Sequence, residues 1–362
     1  MTGSVVEEQP VTLEQMTPAW LSERIAAAGH PATVADVQWQ RIGTGQIGRC
    51  YRGALAFTGD PQGAPSTVVA KLPSDDETSR TTGVLLRNYL KEVRFYQEMV
   101  PHLGIRVPRC YHAAIIDEGP EFSLLLEDLA PAQQGDQLAG CSAAIAEAAV
   151  LELVGLHAPT WNRPELHTAD WLFVNPSMAG QDPGFLYKAN LPGFLERYGP
   201  ALDADQQRII SRFGDFYGVE AASHSGVASL IHVDYRLDNL LINDAQQPPE
   251  VTVVDWQSIQ VGSPLSDVAY FLGAGMLPEA RRAVEEPIVR RYYERLCAAG
   301  VAGYSWEACW TDYCLGTFSG FAVTVIASMI VERTERGDAM FTAMAQRHSR
   351  HALDHAADTL FD

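Results

Sequence analysis

Residues 231–257 read Ile-His-Val-Asp-Tyr-Arg-Leu-Asp-Asn-Leu-Leu-Ile, then a short turn, then Val-Thr-Val-Val-Asp-Trp-Gln. Asp234 lies five residues before Asn239, and Asp255 follows Asp234 by 21 residues. One carboxylate can orient and deprotonate a hydroxyl, while an Asn and a second Asp offer hard oxygen ligands for the Mg²⁺ that bridges ATP phosphates. Either half alone could be chance, a short motif or a strand that happens to end on aspartate. Context joins them. Leu240–Ile242 reads as a strand, Asn243-Asp244-Ala245 as a turn and Val251–Val254 as a second strand, a hairpin that brings both oxygen ligands to one end.

Upstream, Arg41-Ile42-Gly43-Thr44-Gly45-Gln46-Ile47-Gly48 carries G-x-G-x-x-G through Gly43, Gly45 and Gly48. A dinucleotide fold would follow this pattern with a helix and an acidic residue about 20 positions on. Here Arg49–Phe57 continues as a strand into the turn Thr58–Gly63 and a further strand, Thr67–Lys71. Strand, glycine turn and strand make a hairpin whose backbone can lie over phosphates, because glycine has no Cβ to block close approach. Lys71, after Val-Val-Ala, is placed to pair with the α- and β-phosphates. Its partner is expected on the helix read over 84–99. Glu92 is preferred to Glu98, which falls near the helix end before Pro101.

These landmarks resemble the aminoglycoside phosphotransferase and choline kinase-like superfamily. They are the loop at 43–48, Lys71, Glu92, Leu124–Leu129, Leu156-His157-Ala158, His232–Asn239, Asp255-Trp256-Gln257 and Gly262–Asp267. The resemblance spans roughly residues 40 to 275. It implies an α+β, two-lobed, protein-kinase-like fold, a small β-rich lobe at 1–128 and a helical lobe at 129–362. It implies an ATP- and Mg²⁺-dependent small-molecule kinase with Asp234 as base and Asn239 and Asp255 on the metal. Glu127 and Leu129 would meet the adenine edge from the hinge backbone. Arg236 stands where protein kinases carry a lysine facing the γ-phosphate, and a structural ion pair with Asp238 is the competing reading. His232 is expected to fix the loop and Asp267 to anchor its backbone. The family usually has His-Gly-Asp. Val233 replaces that glycine, and an ordinary backbone is expected there.

The loop Asp-Tyr-Arg-Leu-Asp-Asn is similar to that of bacterial phosphotransferases and of the kinase-like module attached to some acyl-CoA dehydrogenases. On that likeness alone the acceptor is a hydroxyacyl-CoA or another hydroxylated lipid-like metabolite. An aminoglycoside or other antibiotic is the alternative, and a nucleotide-binding pseudokinase is a third reading.

The 362 residues suffice for two cores, and 47% hydrophobic with 20% charged residues is ordinary globular composition. A formal charge of −19 speaks against nucleic acid or an anionic membrane as partner. Cysteines at 50, 110, 141, 297, 309 and 314 form no C-x-x-C pair, and the acidic start lacks a signal-peptide pattern. A cytoplasmic monomer or homodimer is expected. Tyr313–Val331 is uncharged and holds Gly316-x-x-x-Gly320, yet its Thr and Ser residues favour a buried helix over a membrane span. His348, His351 and His355 share one face of the last helix; they are expected to be solvated, with metal as the minor alternative. Helices are expected near 13–28, 142–157, 202–222, 278–299, 306–333 and 338–358.

Overall fold

The computed structural model describes residues 10–43, 45, 47–173, 175, 182, 184–217 and 225–361. The chain divides into two compact units, Met1–Pro101 with Val107–Ala130, and His102–Arg106 with Pro131–Asp362.

The first unit holds α1 (Pro18–Ala27), β1 (Thr33–Ile42), β2 (Gly48–Thr58), β3 (Thr67–Pro73), α2 (Glu77–Leu85), α3 (Asn88–Arg94), β4 (Cys110–Ile115) and β5 (Phe122–Glu127). The strands form one antiparallel sheet in the order β1-β2-β3-β5-β4. The β-branched and aliphatic run of β3 suits this central position: Val68, Ala70 and Leu72 are buried with Leu21 and Ile25 of α1. α1 starts at Pro18, later than expected. Thr17 accepts a hydrogen bond from the Trp20 amide, and proline at the first helical position needs no donor.

The single helix expected over 84–99 is broken. α2 ends at Leu85, Arg87 takes a left-handed conformation (φ +60°), and α3 restarts at Asn88. A π-helical turn, Phe95–Met99, follows. The buried Arg87 guanidinium pairs with Glu118 at 2.8 Å, an ion pair that holds the break. Glu92 therefore sits on a short, largely buried helix.

The second unit contains β6 (Gln133–Gln134), α4 (Ala143–Glu152), α5 (Val154–Thr160), α6 (Phe185–Tyr198), α7 (Ala204–Phe216), β7 (Ser229–Ile231), β8 (Leu240–Asn243), β9 (Glu250–Val253) and β10 (Gln260–Gly262). Five helices close it: α8 (Pro264–Gly275), α9 (Pro278–Ala298), α10 (Trp306–Gly316), α11 (Ser319–Ile330) and α12 (Glu335–Asp354). β8 and β9 form the expected hairpin, with Leu240 opposite Val253 and Asn243 opposite Glu250. The helix expected to 222 ends at Phe216, and residues 218–224 lie outside the described residues. The helix expected over 306–333 is two helices, parted at Thr317–Phe318. Hydroxyls of Thr317 and Ser319 donate to the carbonyls of Cys314 and Gly316, which competes with helix continuation. By length and apolarity the stretch could cross a membrane, yet Phe318, Phe321 and Val325 pack with Phe213 and Met344 in the helical core.

The terminal histidines correct the sequence reading. His348 and His351 are completely buried, and His355 is only 13% exposed. α12 packs among α7, α8 and α11 and is not a peripheral helix.

Candidate active site

In the first unit Lys71 on β3 donates to Glu92 Oε1 on α3 at 2.7 Å, with both residues buried. A lysine buried without a carboxylate would lose its charge, so the pair keeps an ammonium at this strand position. Of the glycine loop, Gly43 has φ +70°, and a Cβ on Gly45 would meet the Gly48 carbonyl at 2.9 Å. Thr44 and Gln46 lie outside the described residues. Tyr89, one turn ahead of Glu92, donates to the Ile47 carbonyl at 2.7 Å and so fastens the loop to α3. Nothing in the sequence reading had singled Tyr89 out. Glu127 ends β5, and the next residue, Asp128, is paired with Arg52 of β2 at 2.6 Å. Leu129 lies just past that pair.

In the second unit side chains of the 232–239 loop converge on Asp234, whose side chain is 24% exposed. Tyr270 of α8 donates to Oδ1 at 2.8 Å, and Arg236 Nε approaches the same carboxylate at 2.9 Å. Asn239 Nδ2 donates to Oδ2 and to the Asp234 carbonyl, both at 2.9 Å. With its amide nitrogen committed, Asn239 presents its oxygen as the remaining donor atom, which suits a hard cation. Asp255 follows β9 in a left-handed conformation (φ +66°, ψ +66°). Its register to Asn239 is fixed by the Val254 amide, which donates to the Asn239 carbonyl at 3.0 Å.

His232 is fully buried, and its Nε2 lies 3.1 Å from the Val254 carbonyl, where it joins the loop to the strand leading to Asp255. Asp267 accepts the amides of His232 (2.6 Å) and Val233 (2.9 Å). The expected ordinary backbone at Val233 is not found: φ is +73°. A β-branched residue is disfavoured there, and the two amide bonds to Asp267 hold the loop in this conformation.

Arg236 is drawn into ion pairs on both sides, with Asp234 and, at 2.9 Å, with Asp238. Asp238 is also paired with Arg336 at 3.0 Å, and these guanidiniums hold its carboxylate below the ordinary range against the opposing effect of burial. This geometry favours the ion-pair reading of Arg236 over a free guanidinium aimed at phosphate. Burial and the Asp234 charge push the Tyr270 phenol well above its usual value, so it remains a donor. Tyr270 and Arg336 carry no motif, since only the fold brings α8 and α12 to the loop.

Residues 57–310, well over half of the chain, match the profile of the phosphotransferase enzyme family known as APH. The chain belongs to this family and has the α+β kinase-like fold. A Caenorhabditis elegans protein described as the uncharacterized oxidoreductase dhs-27 is 22% identical over 324 residues, 81% of this chain and 39% of that protein. The chain thus spans well under half the length of that relative. The ethanolamine kinase of Plasmodium vivax shares the fold, with a TM-score of 0.51 at 8% identity, covering 86% of this chain and 82% of the other. The gentamicin complex of APH(2")-IIa gives a TM-score of 0.49 at 13% identity, covering 92% and 96%.

Proposed function

We propose that the protein transfers the γ-phosphoryl group of Mg-ATP to a hydroxyl of a small molecule. The observation that carries this reading is the cluster around Asp234, a partly exposed carboxylate aimed by Asn239, Arg236 and Tyr270. Asp234 accepts the hydroxyl proton as the acceptor oxygen attacks phosphorus, and its three partners keep it in one rotamer. Asn239 and Asp255 supply an amide oxygen and a carboxylate, a donor set fit for Mg²⁺, which usually takes only one or two protein carboxylates beside phosphate and water. Bound Mg²⁺ would neutralise the phosphate oxygens in the transition state. Lys71, held by Glu92, would pair with the α- and β-phosphates under the backbone of Gly43, Gly45 and Gly48, and the backbone at Glu127 and Leu129 would meet the adenine.

The acceptor is proposed to be a hydroxyacyl-CoA or similar hydroxylated lipid-like metabolite. The loop likeness supports it. A cytoplasmic setting goes with this reading.

The test is ATP turnover over a panel of hydroxyacyl-CoAs, sterols, amino-alcohols and aminoglycosides, with thermal shift by ATP measured with and without Mg²⁺. Metal-dependent stabilisation that Asp255→Ala abolishes, together with turnover of a hydroxyacyl-CoA, is the expected result. No thermal shift under any metal condition would remove the nucleotide site, and turnover of aminoglycosides alone would remove the proposed acceptor.

A further inference from the structure

Within the second unit, α9, α10 and the C-terminal end of α12 meet at a second cluster of donor atoms. Glu285 of α9, His351 of α12 and His355, the residue that caps α12, place one ligand atom each within 4.8 Å of the others. The two histidines are one helical turn apart, the spacing at which two imidazoles on one helix face can share a metal. Glu285 Oε2 lies 3.3 Å from His351 Nε2 and 3.3 Å from His355 Nε2. Those separations are long for a charge-assisted hydrogen bond, which runs to about 2.7–2.9 Å. They match the edges of a tetrahedron with metal–ligand bonds of about 2.0–2.1 Å, which come to about 3.3 Å.

A second observation concerns orientation. His355 Nε2 is buried and faces Glu285 Oε2 across 3.3 Å without a well-formed hydrogen bond. The other ring nitrogen, Nδ1, lies 3.6 Å from Cys314 Sγ on α10. An imidazole whose Nε2 binds a metal donates its remaining N–H to such an acceptor, and this contact sets the ring plane. Tyr313, also on α10, donates its hydroxyl to Glu285 Oε2 at 2.9 Å and lies 3.0 Å from His351 Nε2. Gly273 of α8 makes room for the cluster: a Cβ there would meet His351 Nδ1 at 2.6 Å.

We propose that Glu285, His351 and His355, with a water as fourth ligand, form a zinc site that ties α9 to the C-terminal end of α12. Two imidazoles and one carboxylate select a first-row N/O-preferring cation over Mg²⁺. Metal entry replaces the Tyr313–His351 contact and leaves the Tyr313–Glu285 bond, which then orients the ligating carboxylate. Arg281 donates to Glu285 Oε2, the oxygen that faces the histidines, and to Asp354, while Arg282 donates to Asp354, so metal ligation at Oε2 displaces Arg281 from that oxygen. Glu279 also faces Arg282 at 3.7 Å, so three carboxylates surround two arginines, and the two imidazoles are what favour a first-row metal over Mg²⁺.

The test uses the whole chain, stripped with a chelator and kept in excess Mg²⁺ so that oxygen-rich sites are filled. Co²⁺ is titrated by visible absorption and Zn²⁺ by displacement of Co²⁺ and by metal content. The expected result is one Zn²⁺ per chain, with intense Co²⁺ bands of a four-coordinate nitrogen-ligated centre that Zn²⁺ erases. Glu285→Gln and His355→Gln should each weaken Zn²⁺ binding at least about 100-fold, while Asp255→Asn leaves it unchanged. The wild-type spectrum stands as a test even if a variant fails to fold. Wild-type protein that binds no Zn²⁺ in excess Mg²⁺ overturns the proposal and leaves His355 as a proton-bearing partner of Glu285. Binding lost in Asp255→Asn but kept in His355→Gln overturns it equally.

Discussion

Replacing Val233 separately by alanine and by glycine tests the backbone of the catalytic loop. Both changes delete the half-buried valine side chain, so that loss is common to the pair. They differ in the Cβ. At φ +73° a Cβ costs about 1–2 kcal/mol, whereas glycine is free of that clash. Against this, glycine gives up about 0.4–1 kcal/mol through the greater freedom of its unfolded chain. The balance makes Val233→Gly more stable than Val233→Ala by about 0.5–1 kcal/mol. With an ordinary negative φ the order would reverse, alanine leading by about 0.4–1 kcal/mol. Urea unfolding at pH 7.5 resolves this as a shift in midpoint at constant slope. The same pair in an Asp267→Ala background should show a smaller gap, because losing the two amide acceptors lets the loop relax. Alanine more stable than glycine in the otherwise native chain would refute the argument.

Asp234→Asn should lower kcat by about 10²–10⁴ while nucleotide affinity, read by thermal shift, stays intact; equal turnover would exclude Asp234 as base. Tyr270→Phe removes one hydrogen bond on Asp234 and should cost about 1 kcal/mol, a several-fold fall in kcat without loss of ATP binding. Glu92→Gln breaks a buried ion pair and should destabilise the chain by about 3–5 kcal/mol while weakening nucleotide binding, and an unchanged melting curve would contradict it. Burial, with help from His351 and Arg347, lowers His348 from 6.5 to about 3. Its contribution to stability is therefore complete above pH 6.5 and is lost as pH falls toward 3, about 2 kcal/mol between pH 6.5 and 5. Urea midpoints across that range should flatten in His348→Asn; an unaltered pH slope would count against the assignment.

The central strand β3, the hairpin of β8 and β9 and the Lys71–Glu92 pairing were legible because each rests on local pattern. A β-branched run marks the strands, and Glu98 falls near the helix end before Pro101, which leaves Glu92. What stayed hidden depends on contacts between distant residues. The break at Arg87 is held by Glu118, which is 31 positions away and bears no motif. Val233 adopts a conformation that its own side chain disfavours, and only Asp267, 34 residues on, explains why. The histidines of α12 lie on a helix with a polar average, which reads as surface. Their burial follows from packing against α8 and α9, and neither helix announces that in sequence. Arg236 had two readings of equal standing in the sequence, and the positions of Asp234 and Asp238 favour the ion pair.

Asp267 also lies 3.5 Å from His157 Nε2, and His157 Nδ1 meets the Tyr292 hydroxyl at 2.6 Å. The amides of His232 and Val233 thus end in a chain of buried groups running through α8, α5 and α9. The bond from the His232 amide is fully buried and that from Val233 is partly so, and both depend on that assembly staying closed. In a hydrogen-exchange experiment they belong with the slowest class of the second unit, exchanging at its global unfolding free energy although they lie in a loop. Agents that loosen the helices should then act on turnover as well, because the segment bearing the proposed base, Asp234, is held by the helices around it.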